Sequence, residues 1–111
     1  MKRINVNQAK SVENPPGVAR KTITYNGEVM LCHFVLRKGA QIPLHEHRAT
    51  QAGYLMKGKV RFLMEKPNGS FEAGQGDSYV FDPFTKHGCI ALEDSEYVEA
   101  FTPARDEYKD F

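Results

Sequence analysis

A chain of 111 residues holds one domain around a single core and is too short for two. Its 15 lysines and arginines nearly balance 14 aspartates and glutamates, and the resulting formal charge of +1 argues against a nucleic-acid or anionic-membrane footprint. No apolar run approaches the ~20 residues of a membrane span, and Met1 to Lys10 lacks a signal-peptide core, so a soluble, cytoplasmic protein is expected.

In chain order, residues 1–17 form a polar arm. Its Asn5 to Gly17 stretch, with Pro15-Pro16-Gly17, reads as irregular structure that frays or lies on a partner subunit. Residues 18–105 read as the domain proper, with short β-branched and aromatic runs broken at close intervals by Gly, Pro and Asn. That is an all-β pattern. Arg20 and Lys21 are assigned to a solvated strand face. Val29 to Leu36 is a strand in which His33 alternates with Leu31 and Val35 as an ordinary strand histidine. Tyr54 to Met56 follows, then a Lys57-Gly58-Lys59 turn and Val60 to Glu65. Lys66-Pro67-Asn68-Gly69-Ser70 reads as a hairpin, because Asn-Gly tolerates the positive φ of tight β-turns. Ser78 to Phe81, Cys89 to Leu92 and Glu96 to Thr102 complete the strands. Cys32 and Cys89 make no Cys-x-x-Cys pair and are expected as reduced, buried thiols. Residues 106–111 form a tail. Its aromatic Tyr108 to Phe111 and the polar arm are the expected contacts of a homodimer.

One constellation carries chemistry. In an extended strand residues i and i+2 share a face, so His45 and His47 present two imidazoles side by side while Glu46 points away. Gln51, after a short Arg48-Ala49-Thr50 bend, enters the next strand facing the same interior and offers an oxygen. His87 follows the Phe81-Asp82-Pro83-Phe84 turn and closes the set. Imidazole suits Zn, Ni, Fe, Cu and Mn alike, so a divalent transition metal is expected without its identity. Gln51 either ligates the ion or hydrogen-bonds to an ion-bound water. Near the C-terminus, Glu96 to Thr102 alternates and puts Tyr97, Glu99 and Phe101 on one face. Periodicity alone leaves open whether that face enters the domain, where Glu99 would be a base, or stands on a solvated edge. Arg105 offers a planar fork for a substrate carboxylate.

Gly39-x5-His45-x-His47-x3-Gln51-x6-Gly58 resembles the first cupin motif at every spacing, with Gln51 where most members carry Glu. Gly76, Asp82-Pro83-Phe84 and His87 are similar to the second motif, but Asp82, Phe84 and Ala91 replace its Pro, Gly and Asn. The resemblance covers Val18 to Arg105 and implies a single-domain jelly-roll β-barrel with the metal inside, held by His45, His47, Gln51 and His87. Further blocks, Gly17 to Lys21, Lys38-Gly39-Ala40 with Pro43-Leu44-His45, His87-Gly88, and Phe101-x-Pro103-x-Arg105-x-Glu107-Tyr108, are similar to the pectin-degradation cupins of the KdgF type. These linearise unsaturated uronates released by polysaccharide lyases. The likeness implies a carboxylate, an aromatic ring and an arginine beside the metal, at Glu99, Phe101 and Arg105, acting on a small anionic sugar-like substrate. The chain departs from that group in carrying Glu99 for Asp, and Ala49-Thr50 for His-Glu. Two rivals stand beside this reading: a metal-dependent dioxygenase using the same histidines, and a barrel that binds sugars or anions without chemistry.

Overall fold

Alternation decides which side of each strand is buried. In the computed structural model, which describes residues 1–109, β3 (Met30–Leu36) turns Met30, Cys32, Phe34 and Leu36 inward and leaves Leu31 and Val35 exposed. β10 (Ser95–Thr102) does the same with Ser95, Tyr97, Glu99 and Phe101. Between them the partners are fixed by register, with Glu99 opposite Cys32 on β3 and opposite Gly53 on β5 (Thr50–Lys57). The open question of the Glu99 face is thereby answered: it is the inner one.

These strands lie in a six-stranded antiparallel sheet of order β1-β2-β3-β10-β5-β8, with β1 Ser11–Glu13, β2 Val18–Tyr25 and β8 Ser78–Phe81. A four-stranded sheet of order β4-β9-β6-β7 holds β4 Gln41–His45, β9 His87–Ala91, β6 Lys59–Met64 and β7 Phe71–Gly74. Packed together, the sheets make the all-β jelly roll that the resemblance implies. The core joins Val18, Leu36 and Tyr97 of the larger sheet to Val60, Phe62 and Ala91 of the smaller. Each large apolar side chain removed from water there stabilises the fold by roughly 1.5–3 kcal/mol. No helix is long and apolar enough to cross a membrane among the described residues.

Four local readings change. The segment expected to be irregular contains a 3-10 turn, Val6–Gln8, capped by Asn5, and the edge strand β1, whose Val12 pairs with Arg20. Arg20 is not on a solvated face. It is 7% exposed, with Nη1 donating to Thr22 Oγ1 at 2.6 Å and the guanidinium 4.1 Å from the Tyr108 ring centre. The hairpin between β6 and β7 closes through a 3-10 turn, Pro67–Gly69, without positive φ at Asn68 or Gly69. Tyr108 packs against Phe34 and Phe101 of its own barrel instead of standing free for a partner; Asp110 and Phe111 lie outside the described residues. Both cysteines are free and buried, as expected.

A bulge in β4 positions the site. Ile42 pairs with Cys89 and His45 with His87, so Pro43 and Leu44 together oppose Gly88. The extra residue shifts the alternation: Ile42 and His45 face inward, and Leu44, which strict period two would bury, is exposed. Gly88 makes the bulge possible, since a Cβ there would meet Ile42 O at 2.6 Å and Pro43 C at 2.9 Å. Gly88→Ala is therefore expected to destabilise the protein by about 1–3 kcal/mol through forced overpacking. Denaturant unfolding of the two proteins checks this, and equal midpoints would show that β4 yields freely.

Candidate metal centre

Three elements deliver the histidines. His45 is the last residue of β4, His47 lies in the loop that follows, and His87 opens β9. The expected single extended strand thus ends between the first two, and the loop carries His47 back to the same interior. One ring nitrogen from each of the three histidines lies within 4.8 Å of the others. The Phe81 ring stacks on His87 at 4.4 Å, and Phe101 meets His47 edge-on at 5.9 Å, so the imidazoles are held by packing as well as by backbone.

The tautomers follow from hydrogen bonds. His45 Nδ1 donates to Pro43 O at 2.9 Å, His47 Nδ1 to Ala49 O at 2.8 Å and His87 Nδ1 to Thr85 O at 2.7 Å. A carbonyl only accepts, so each Nδ1 carries the proton and each neutral ring keeps a lone pair on Nε2. Burial, ahead of repulsion from neighbouring cationic groups, pushes His87 down to about 4 and lowers His47. Against these lone pairs stands another acceptor: Gln51 Oε1 lies 3.0 Å from His47 Nε2 and 3.2 Å from His87 Nε2. Acceptors facing acceptors repel unless a cation sits among them. Nitrogen and oxygen donors so oriented fit a divalent transition metal, and none of the four carries charge to offset it.

Gln51 is 5% exposed on β5, and its other end makes the second half of the site. Gln51 Nε2 donates to Glu99 Oε2 at 2.7 Å, and the Tyr79 hydroxyl donates to the same oxygen at 2.6 Å. Glu99 is 3% exposed; burial pushes its carboxyl up to about 7, against the lowering effects of Tyr79, Gln51 and Arg105. Among the described residues both hydrogen bonds to the carboxylate fall on Oε2, which leaves Oε1 as the atom available to the cavity that Glu99 lines. That cavity has a volume of about 30 Å³ and is lined by His45, Gln51, His87, Glu99, Phe101 and Arg105, among others. Arg105 donates from Nε to Glu107 at 3.0 Å, and its guanidinium lies 4.1 Å from the Tyr108 ring centre.

All seven site residues named from the sequence converge on this one interior. His33 does not: it faces the outer side and pairs with Glu96 at 2.8 Å. The sequence reading missed Tyr79 and Tyr108. Tyr79 stands two residues before Phe81 and hence on its face, a signal available in the alternation of β8. Tyr108 belongs to the block that carries the KdgF likeness, but its place beside the site depends on the turn of the tail. In the second motif, Phe84 stands at the glycine position with φ +60 and 63% exposed, so the loop keeps the left-handed backbone at a residue for which it is strained.

The model for the cupin domain matches residues 32–102. The chain belongs to the cupin family. No curated protein matches it. Among solved structures, this cupin is similar to KdgF from Halomonas sp., with 27% identity over 96% of this chain and 98% of that one and a TM-score of 0.86. It is also similar to an RmlC-like cupin from Shewanella frigidimarina, with 24% identity, 92% and 90% coverage and a TM-score of 0.84. The polyketide cyclase RemF from Streptomyces resistomycificus shares the fold, with 16% identity, 96% and 82% coverage and a TM-score of 0.80. Cupins of this shape therefore carry different activities, and the site must argue for one.

The Glu99 carboxyl ties stability to pH. Its folded value, about 7, lies above its unfolded value of 4.5, so the folded state binds the proton more tightly and stability falls as pH rises through that window. His47 and His87, lowered, act in the opposite sense as pH falls below 6.5. Comparison with Glu99→Gln isolates the carboxyl: in metal-free protein the variant should gain on wild type by roughly 3 kcal/mol between pH 4.5 and pH 8. Parallel stability curves in denaturant titrations across that range would refute the assignment.

Proposed function

We propose that this cupin is a metal-dependent enzyme that opens the ring of an unsaturated uronate-like sugar acid and tautomerises the product. The observation that carries the reading is the Gln51 amide, which spans from the three imidazoles to a buried carboxylate with one oxygen left open beside Arg105. The likeness to KdgF from Halomonas sp. supports it.

His45, His47, Gln51 and His87 would hold the ion, and bound there it supplies a Lewis acid whose charge no protein carboxylate cancels. Glu99 Oε1 takes and returns the proton in the tautomerisation. Its value near neutrality suits both directions of transfer. Arg105 pairs with the substrate carboxylate, Phe101 forms the wall beside His47, and Tyr108 lines the cavity. Glu99, one methylene longer than Asp, reaches about an ångström further and alters which sugar acid fits. Carboxylate recognition by Arg105 and the uncompensated ion both favour an anionic substrate over a neutral sugar.

Purified, metal-loaded protein should consume the conjugated ultraviolet absorbance of an unsaturated uronate. Glu99→Gln should lower kcat at least about 100-fold and His47→Ala should abolish turnover with loss of bound metal. Equal rates in all three proteins would end the enzymatic reading, and oxygen uptake by iron- or copper-loaded protein would replace it with a dioxygenase.

We also propose a homodimer, formed through the outer face of the larger sheet. Leu31, Val35, Tyr54 and Val80 are exposed there beside Val98 and Ala100, an apolar surface that a second copy would cover. Light scattering should give twice the chain mass for wild type and a shift toward one chain mass for Tyr54→Lys; a monomeric wild type refutes it.

A further inference from the structure

Glu99 and Tyr79 meet across the one inward position of β5 that has no side chain. Register sets Gly53 opposite Glu99 on β10 and opposite Tyr79 on β8, so the three residues form one row across the sheet. A Cβ at Gly53 would fall into the Tyr79 ring, against its Cζ, Oη and Cε2. Glycine is thus what lets the ring lie over the β5 backbone and bring its hydroxyl to Glu99 Oε2 at 2.6 Å. Burial and the neighbouring carboxylate hold the Tyr79 phenol protonated, which makes it a fixed donor in this pair. Phe62 and Phe81 pack on the ring at 4.3 and 5.5 Å and leave it little room to turn.

An amide has two ends, and the protein must choose between them. With Nε2 given to Glu99 Oε2, Gln51 turns Oε1 to His47 and His87, where their lone pairs already point. Reversed, the NH2 group would satisfy those imidazole nitrogens from within the protein and compete with a cation. The reversed amide would also set its oxygen against a carboxylate oxygen, an arrangement of two acceptors that is costly in a buried site. Glu99 could relieve that clash by rotating its carboxyl away. The Tyr79 hydrogen bond on Oε2 is what opposes the rotation.

We propose that Tyr79, seated on Gly53, is a positioning residue that pins Glu99 and thereby fixes the Gln51 amide with its oxygen toward the three histidines. The proposal rests on the metal-centre reading above and is independent of the uronate reaction. It gives Glu99 two tasks at two atoms: Oε2 orients the amide, and Oε1 remains for the cavity.

The test uses Tyr79→Phe, which removes one oxygen and keeps the ring, and Gly53→Ala, which keeps every polar group and displaces the ring. In metal-free protein the Gln51 side-chain NH2 resonances, assigned by their loss in Gln51→Glu, should shift in both variants and exchange with solvent at least about tenfold faster. The backbone amide spectrum reports folding in the same sample. Cobalt(II) titrated into each variant should bind about 10–100-fold more weakly than into wild type, with a changed visible absorption band. Unchanged Gln51 resonances together with an unchanged cobalt spectrum and affinity in a folded Tyr79→Phe protein would overturn the proposal. Neither readout involves uronate turnover, so failure of the reaction and failure of this inference are told apart.

Discussion

A single buried amide holds the two halves of the site together. Gln51 directs its oxygen at imidazole lone pairs and its nitrogen at the Glu99 carboxylate, and both contacts lie where water does not compete. A glutamate at this position would place like charges together, Glu99 against its neighbour, and one of the two would have to bind a proton. A neutral amide avoids the conflict and leaves the donor set of three imidazoles and one amide oxygen without charge. The choice of Gln51 and the burial of Glu99 are in this sense one feature.

The scaffold constrains the groups around that amide from several sides. Backbone carbonyls at Pro43, Ala49 and Thr85 fix the histidine tautomers, the bulge opposite Gly88 re-aims His45, and aromatic rings hold His47 and His87 from the side. Each device is unremarkable by itself. Together they commit three lone pairs to one point, a donor set that fits a divalent transition metal. The cavity of about 30 Å³ is small for a sugar acid. Tyr108 lines it, held by the hydroxyl of Thr22 on its carbonyl at 2.5 Å and by the guanidiniums of Arg20 and Arg105 on its ring.

Period two and ligand spacing were legible in the chain itself. They determined an all-β domain and the inward row of β10 up to a choice of face, because strand geometry constrains residues that are near in sequence, while ligand chemistry and motif spacing singled out His45, His47, Gln51 and His87. What the tertiary structure decided depends on neighbours distant in sequence. The face of Glu99 was settled by pairing with Cys32 and Gly53 on two other strands. The burial of Arg20 was settled by the returning tail, and the seat of the Tyr79 ring by a glycine 26 residues earlier that periodicity marks only as a gap. A sequence records which side chains can alternate inward; only the register of strands brought together by the fold says which of them touch.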